Sequence, residues 1–379
     1  MINIVKKSGL SLFLVLSLVS AIANAEEVKV LIGDYKKASF SPSKKDVFSI
    51  PLTINNREEV KSLSVDIVTQ EGDVIRSLPL SFKDKDKDKD KKQFTVQWDG
   101  KDAADDVVPN EAYFPVLNIE DKKGNKRTIS FFDTSGGEEV YDFEKNIRAG
   151  AIEYTLPVTS RILVRSGIKN GPMLRTVIDW EPRTAGFHAD RWNGRDADDV
   201  MDVEQHPQVG YLIVGYKLPD HAILTYGNSE ENYRAYRERK QLPIRQANYK
   251  DRLLVRDKVL IKQEFYTPIL QQKSPRITAK LLTSDTREKT KNVSGFDELL
   301  TQVSIHELDE IYLDQERYEI TFFVDNQFIA EEEQGFVPFT WRWSPGRYGI
   351  ELGDHMLTIN ISGYAGQVGV KHIPFTVKK

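Results

Sequence analysis

The chain is 379 residues long, with 53 Lys and Arg against 57 Asp and Glu, a formal charge of -4, and no cysteine. That balance gives no global electrostatic case for nucleic acid, and the missing thiols exclude disulfides, a lipobox anchor, covalent haem and thiolate metal sites. The length exceeds what one core usually organises, so two or three domains are expected.

Residues 1–25 read as a secretory signal rather than as part of the fold. Lys6 and Lys7 form a positive start, an apolar run extends from Leu10 to Ile22, and Ala23-Asn24-Ala25 is a cleavage pattern. The apolar run is shorter than the ~20 residues a bilayer span needs. No second such run follows, so the expectation is an exported product without an integral membrane segment, periplasmic or at the cell surface.

The first mature segment alternates apolar and polar residues at Phe48, Ile50, Leu52 and Ile54 and again at Leu63, Val65 and Ile67. A period of two places one face in a core and the other in water. The run from Lys83 to Lys92 is nearly pure Lys and Asp, which cannot bury surface and reads as a solvated loop. A strand from Phe94 to Trp98 then meets the turn Asp99-Gly100, and an aromatic strand follows from Ala112 to Ile119.

The same order recurs later. Trp98-Asp99-Gly100-Lys101-Asp102 is echoed by Trp192-Asn193-Gly194-Arg195-Asp196, each followed by an acidic loop and an aromatic strand, the second from Gly210 to Tyr216. Repetition on this scale predicts a duplicated sandwich. The division read from the sequence is 26–148 and 149–227 for the two copies, 228–272 for a charged, partly helical connector, and 273–379 for a third β-domain. Asn228 with Glu231 is the expected helix start, and the stretch holding Arg234, Arg237 and Arg239 is locally basic. Strands expected at Arg276–Leu282, Thr301–Glu307, Tyr318–Val324, Phe336–Trp343, Met356–Ser362 and Val368–Val377 complete an all-β chain of tandem sandwiches.

The two copies resemble the Ig-like repeat known from the flagellar hook-capping protein FlgD. The resemblance rests on the Trp, turn, basic-Asp element, on Val108-Pro109-Asn110-Glu111-Ala112-Tyr113, and on Val74-Ile75-Arg76-Ser77-Leu78. Glu111 stands where the family carries glycine, and the second copy has Val203-Glu204-Gln205-His206-Pro207 in place of the Val-Pro element. The third domain is similar to bacterial Ig-like domains. The resemblance implies a spacer, scaffold or assembly role without catalysis.

Three groups of residues invite a site. Asp99, Asp102, Asp105 and Asp106, with Asp196, Asp198, Asp199 and Asp202, could ligate Ca²⁺, although neither loop has the order of an EF-hand and turn chemistry explains the same residues. Trp341, Trp343 and Tyr348 could stack on a glycan or a partner if exposed, or form core if buried. Arg234, Arg237 and Arg239 could form a basic docking surface for a protein partner, or a solvated linker. No paired histidines, nucleophile elbow or phosphate loop is present, so no catalytic residue is assigned. The leading expectation is an extracytoplasmic scaffold acting by protein–protein contact; the alternative is a carbohydrate-binding or adhesive module using the aromatic residues of the third domain.

Overall fold

The computed structural model describes residues 28–82, 92–131, 135–140, 145–148, 150–244, 255–256, 259–260, 269–314, 317–364 and 366–379. The segment read as a secretory signal, nearly all of the Lys-Asp run and much of the connector lie outside them. The described chain is all-β and folds as three Ig-like sandwiches, with three short helices: α1 (Tyr233–Arg239), α2 (Ile269–Gln272) and α3 (Glu307–Leu313).

In the first sandwich, Lys29–Ile32, Phe48–Asn55 and Gln93–Trp98 form one sheet. The facing sheet is built on Val60–Val68, Val74–Leu80 and Ala112–Asp121. Period-two alternation becomes burial: Ile50, Leu52, Ile54, Val65 and Ile67 are all inside, with Trp98 at 0% exposure between the sheets. In the second sandwich, Lys145–Arg148, Ala151–Leu156 and Gly186–Arg191 face a sheet ordered Met173–Arg183, Ser160–Ile168, Val209–Lys217, Glu139–Val140. Ile152, Tyr154, Ile162, Val164 and Trp192 make its core. The third pairs Ile277–Thr283, Leu299–Ile305 and Phe339–Trp343 against a sheet centred on Gly353–Gly363 and Val368–Lys378.

The sheets divide the chain differently from the boundaries read at 148 and 227. Glu139–Val140 and Lys145–Arg148 already pair with strands of the second sandwich. After that sandwich closes, Ile223–Thr225 returns to the first, antiparallel to Ala112–Asp121 and parallel to Ser39–Phe40. Leu218, Ala222 and Leu224 pack there against Val68, Ala112 and Phe114. The second sandwich is thus an insertion into the first. A three-residue strand pairing across more than a hundred residues leaves no periodic signal, which is why the sequence reads as a simple tandem.

The connector's start also belongs to the first sandwich. Asn232, rather than Asn228, caps α1 by accepting from the Ala235 N–H. Asn228 is held instead by its Nδ2, which donates to the Val108 carbonyl at 3.2 Å. Tyr236 and Leu242 extend the first core, while Tyr233 joins Leu163 and Trp180 on the outer face of the second sandwich. A seven-residue helix is too short to stand alone in water; packing against two sandwiches holds it.

Candidate functional site

The repeated pentapeptides build the same structure twice. Trp98 Nε1 donates to the Lys101 carbonyl and Trp192 Nε1 to the Arg195 carbonyl, both at 3.0 Å. Gly100 and Gly194 turn at φ +74° and +75°, and at Gly100 a Cβ would stand 2.2 Å from Pro42, so the turn requires glycine there. The loop beyond each turn is propped by an arginine from a neighbouring strand. Arg76 Nη1 donates to the Asp102 carbonyl at 2.6 Å, and Arg175 Nη1 donates to the Asp196 carbonyl at 2.9 Å. Arg175 is therefore the counterpart of Arg76. Its strand, Met173-Leu174-Arg175, carries the same apolar-Arg pattern, and this signal was available in the sequence.

The acidic side chains of the two loops are already engaged. Asp102 is 4% exposed and accepts from the Ala104 and Asp106 N–H groups, from Tyr236 Oη at 2.9 Å, and from Lys240 Nζ at 2.6 Å. Asp106 takes Lys240 and Arg239, and Asp105 takes Arg76. Asp99 caps the turn through the Lys101 N–H. In the second copy Asp196 is fully buried and accepts from the Val200 and Met201 N–H groups. Asp198 meets Lys371 Nζ, the His372 N–H at 2.8 Å and His372 Nδ1 at 3.2 Å. Asp199 is braced by Asn193 and Asp202 caps Gln205. Ammonium and N–H donors thus stand where a Ca²⁺ ion would need free oxygens. Among the described residues no three His, Asp or Glu converge as metal ligands. The structure reads these loops as docking cups.

Their occupants differ. The first cup receives α1, and the second receives the third sandwich. At that second junction Asn360 clamps the backbone of Met173, accepting from its N–H at 2.9 Å and donating to its carbonyl at 2.8 Å. Thr358, Asn360 and His372, on the outward face of the third domain's larger sheet, are buried as a result.

The expected basic docking surface is not a free face. Arg237 is 3% exposed, with Nη1 2.6 Å from Asp73 and 3.5 Å from Glu71 in the turn after Val60–Val68. Tyr233 Oη donates to Glu71 in the same nest. Arg239 pairs with Glu231 and Asp106. Arg234 reaches Asp309 of α3 and the Ser274 carbonyl, and Arg276 joins Asp309 to Glu238 of α1. Sequence alone cannot see this, because apart from Glu231 the acids that neutralise these cations lie far away along the chain. Glu111, which stands where the resembling repeats carry glycine, is also engaged here. Its carboxylate is 2.7 Å from Arg161 Nη1 in Ser160–Ile168, with both side chains about 5% exposed or less, so it ties the first sandwich to the second.

The aromatic group divides. Trp343 is 2% exposed and its Nε1 donates to Thr301 Oγ1 at 2.9 Å. Trp341 is half-buried and stacks on Trp343 at 4.8 Å and on Phe322 at 4.5 Å. Only Tyr348 lies open to solvent, at 36%. Trp343 is core, and Trp341 is packed against it and against Phe322.

The second cup makes the junction acid-sensitive. Burial acts to raise the Asp198 carboxyl, but His372 and Lys371 outweigh it and hold the group well below the usual carboxylate range. A carboxylate lowered in this way stabilises the fold above its unfolded pKa of about 4, and the contribution disappears as pH falls toward the folded value. We expect Asp198→Asn to lose about 1 kcal/mol at neutral pH, since the group is partly exposed. The variant should also flatten the stability-against-pH curve below about pH 4. Denaturant titrations across that range check it; an unchanged slope would contradict the assignment.

No known protein family and no curated protein sequence matches the chain. Among solved structures it is similar to the fibronectin(III)-like modules of Clostridium thermocellum CbhA, at 8% identity over 92% of this chain and 94% of that one, with a TM-score of 0.18. It is similar also to a Ca²⁺-stabilised adhesin that helps an Antarctic bacterium bind ice, at 12% identity over 92% and 73%, TM-score 0.18. A third is the Bacteroides ovatus mixed-linkage glucan utilisation protein SGBP-B, at 12% identity over 93% and 70%, TM-score 0.18.

Proposed function

We propose that this protein is a non-enzymatic extracytoplasmic scaffold whose three sandwiches, the first two FlgD-like, act as one rigid body. The observation that carries the reading is the conversion of the paired acidic loops into internal docking cups. Charges that would serve recognition in a free repeat here fix the neighbouring elements in place. Rigid spacing suits an assembly protein, which must present several surfaces at a set distance. The secretory reading of residues 1–25 supports an envelope or surface location.

With the basic stretch engaged internally, contact with a protein partner falls to outer strands that are unpaired on one side, such as Gly186–Arg191 and Gln327–Glu332. The test is affinity capture with the intact mature protein from the native cell envelope, alongside solution scattering. Recovery of one stable partner and a scattering curve fitted by a single rigid shape are expected. A curve requiring independently moving domains, or no stable partner, would refute the reading.

A further inference from the structure

A cleft of about 600 Å³ opens where the two repeats and the start of the connector meet. Its size and its place between domains are those of small-ligand sites. It touches the scaffold reading only through His188 of the edge strand Gly186–Arg191.

The charges on its walls cancel locally. Glu111 is neutralised by Arg161, and Glu231 accepts both Arg239 contacts at 2.7 and 2.8 Å. Arg183 is held by Asp190 and Glu181. Lys273 donates to the neutral Asp179 carbonyl and so keeps its charge, which in sum offsets the second of the two acids at Arg183. The cleft therefore makes no net demand for an anion or a cation. Pro182, Leu224 and the rings of Tyr226 and Tyr233 share the wall with its polar groups, so the surface is mixed, as a sugar with polar edges and apolar faces requires.

What remains open is neutral and two-way in hydrogen bonding. Asn110 and Asn232 use their Oδ1 atoms on the Asn228 and Ala235 N–H groups, leaving Nδ2 as donors. The hydroxyls of Ser229, Thr184 and Tyr226 line the same space, and each can donate or accept. Tyr226 is 48% exposed and presents a flat ring. Sugar hydroxyls also donate and accept, and the C–H face of a pyranose packs against aromatic rings.

We infer that this cleft is a binding site for a neutral oligosaccharide. The site is distinct from the third-domain aromatics, and its loss leaves the scaffold reading untouched. The test uses cellotriose, maltotriose and chitotriose at millimolar concentration with the intact mature protein, read by saturation-transfer NMR and calorimetry. At least one is expected to bind with Kd on the order of 1 mM or tighter. Tyr226→Ala should weaken it about tenfold, and Ser229→Trp, which fills the cleft from an exposed position, should abolish it. Trp341→Ala should leave it unchanged, and thermal melts confirm that the variants fold. Absence of binding by all three sugars overturns the proposal. So does binding that survives both cleft variants, or cleft-dependent capture of members of a random peptide library when no sugar binds.

Discussion

Arg237→Ala is expected to destabilise the protein by about 3–5 kcal/mol, the cost of stranding buried charge. The guanidinium is 3% exposed, and it holds Asp73 at 2.6 Å and Glu71 at 3.5 Å with both carboxylates almost wholly inside. Its Nη2 also donates to the Pro243 carbonyl at 2.8 Å. Alanine removes the Arg237 cation from beside two buried acids, and Tyr233 loses the donor that meets its hydroxyl. The effect should spread beyond α1, because the helix also receives Arg276 from the third sandwich and seats Tyr233 on the second. Denaturant unfolding should show the loss, with hydrogen exchange accelerated in Tyr233–Arg239 and in the turn after Val60–Val68. A loss below about 1 kcal/mol, the worth of an exposed pair, would mean that water reaches the nest.

Glu111→Gly, which restores the residue usual in the resembling family, should also weaken the fold, by about 3–5 kcal/mol. The substitution removes the carboxylate facing Arg161. That arginine keeps a bond from Nη1 to the Trp180 carbonyl at 2.9 Å, while its buried Nε and Nη2 have no partner among the described residues. Glycine also adds backbone freedom to the unfolded chain. Pairing Glu111→Leu with Arg161→Met should recover most of the stability, because a buried ion pair replaced by apolar side chains is often neutral or better. A double-mutant cycle by chemical denaturation measures the coupling. Additive effects would show that the two side chains do not act together and that the sandwiches are held by other contacts.

Both predictions concern junctions, and junctions are what the sequence conceals. The strand alternation at Phe48–Asn55 and Val60–Val68 was legible because burial on one face imposes a period of two. The paired Trp-turn elements were legible because each turn needs the same glycine and the same indole anchor. Arg175 could have been found by laying one copy on the other. Nothing local marks Asp198 as the seat of His372, or Glu71 and Asp73 as the counter-ions of Arg237. The basic stretch from Arg234 to Arg239 looks like a free surface only while its partners, far off in the chain, are out of view.

By itself, then, the sequence determined the all-β class, the duplication, the core residues and the turns, all of which depend on neighbours within a few positions. Only the tertiary structure decided that the second sandwich is inserted into the first, that Trp343 is core, and that the two acidic loops receive α1 and the third sandwich. The physical reason is range. Hydrophobic periodicity and turn chemistry are written in adjacent residues, whereas a buried charge is explained by whichever opposite charge the folded chain brings within about 3 Å of it.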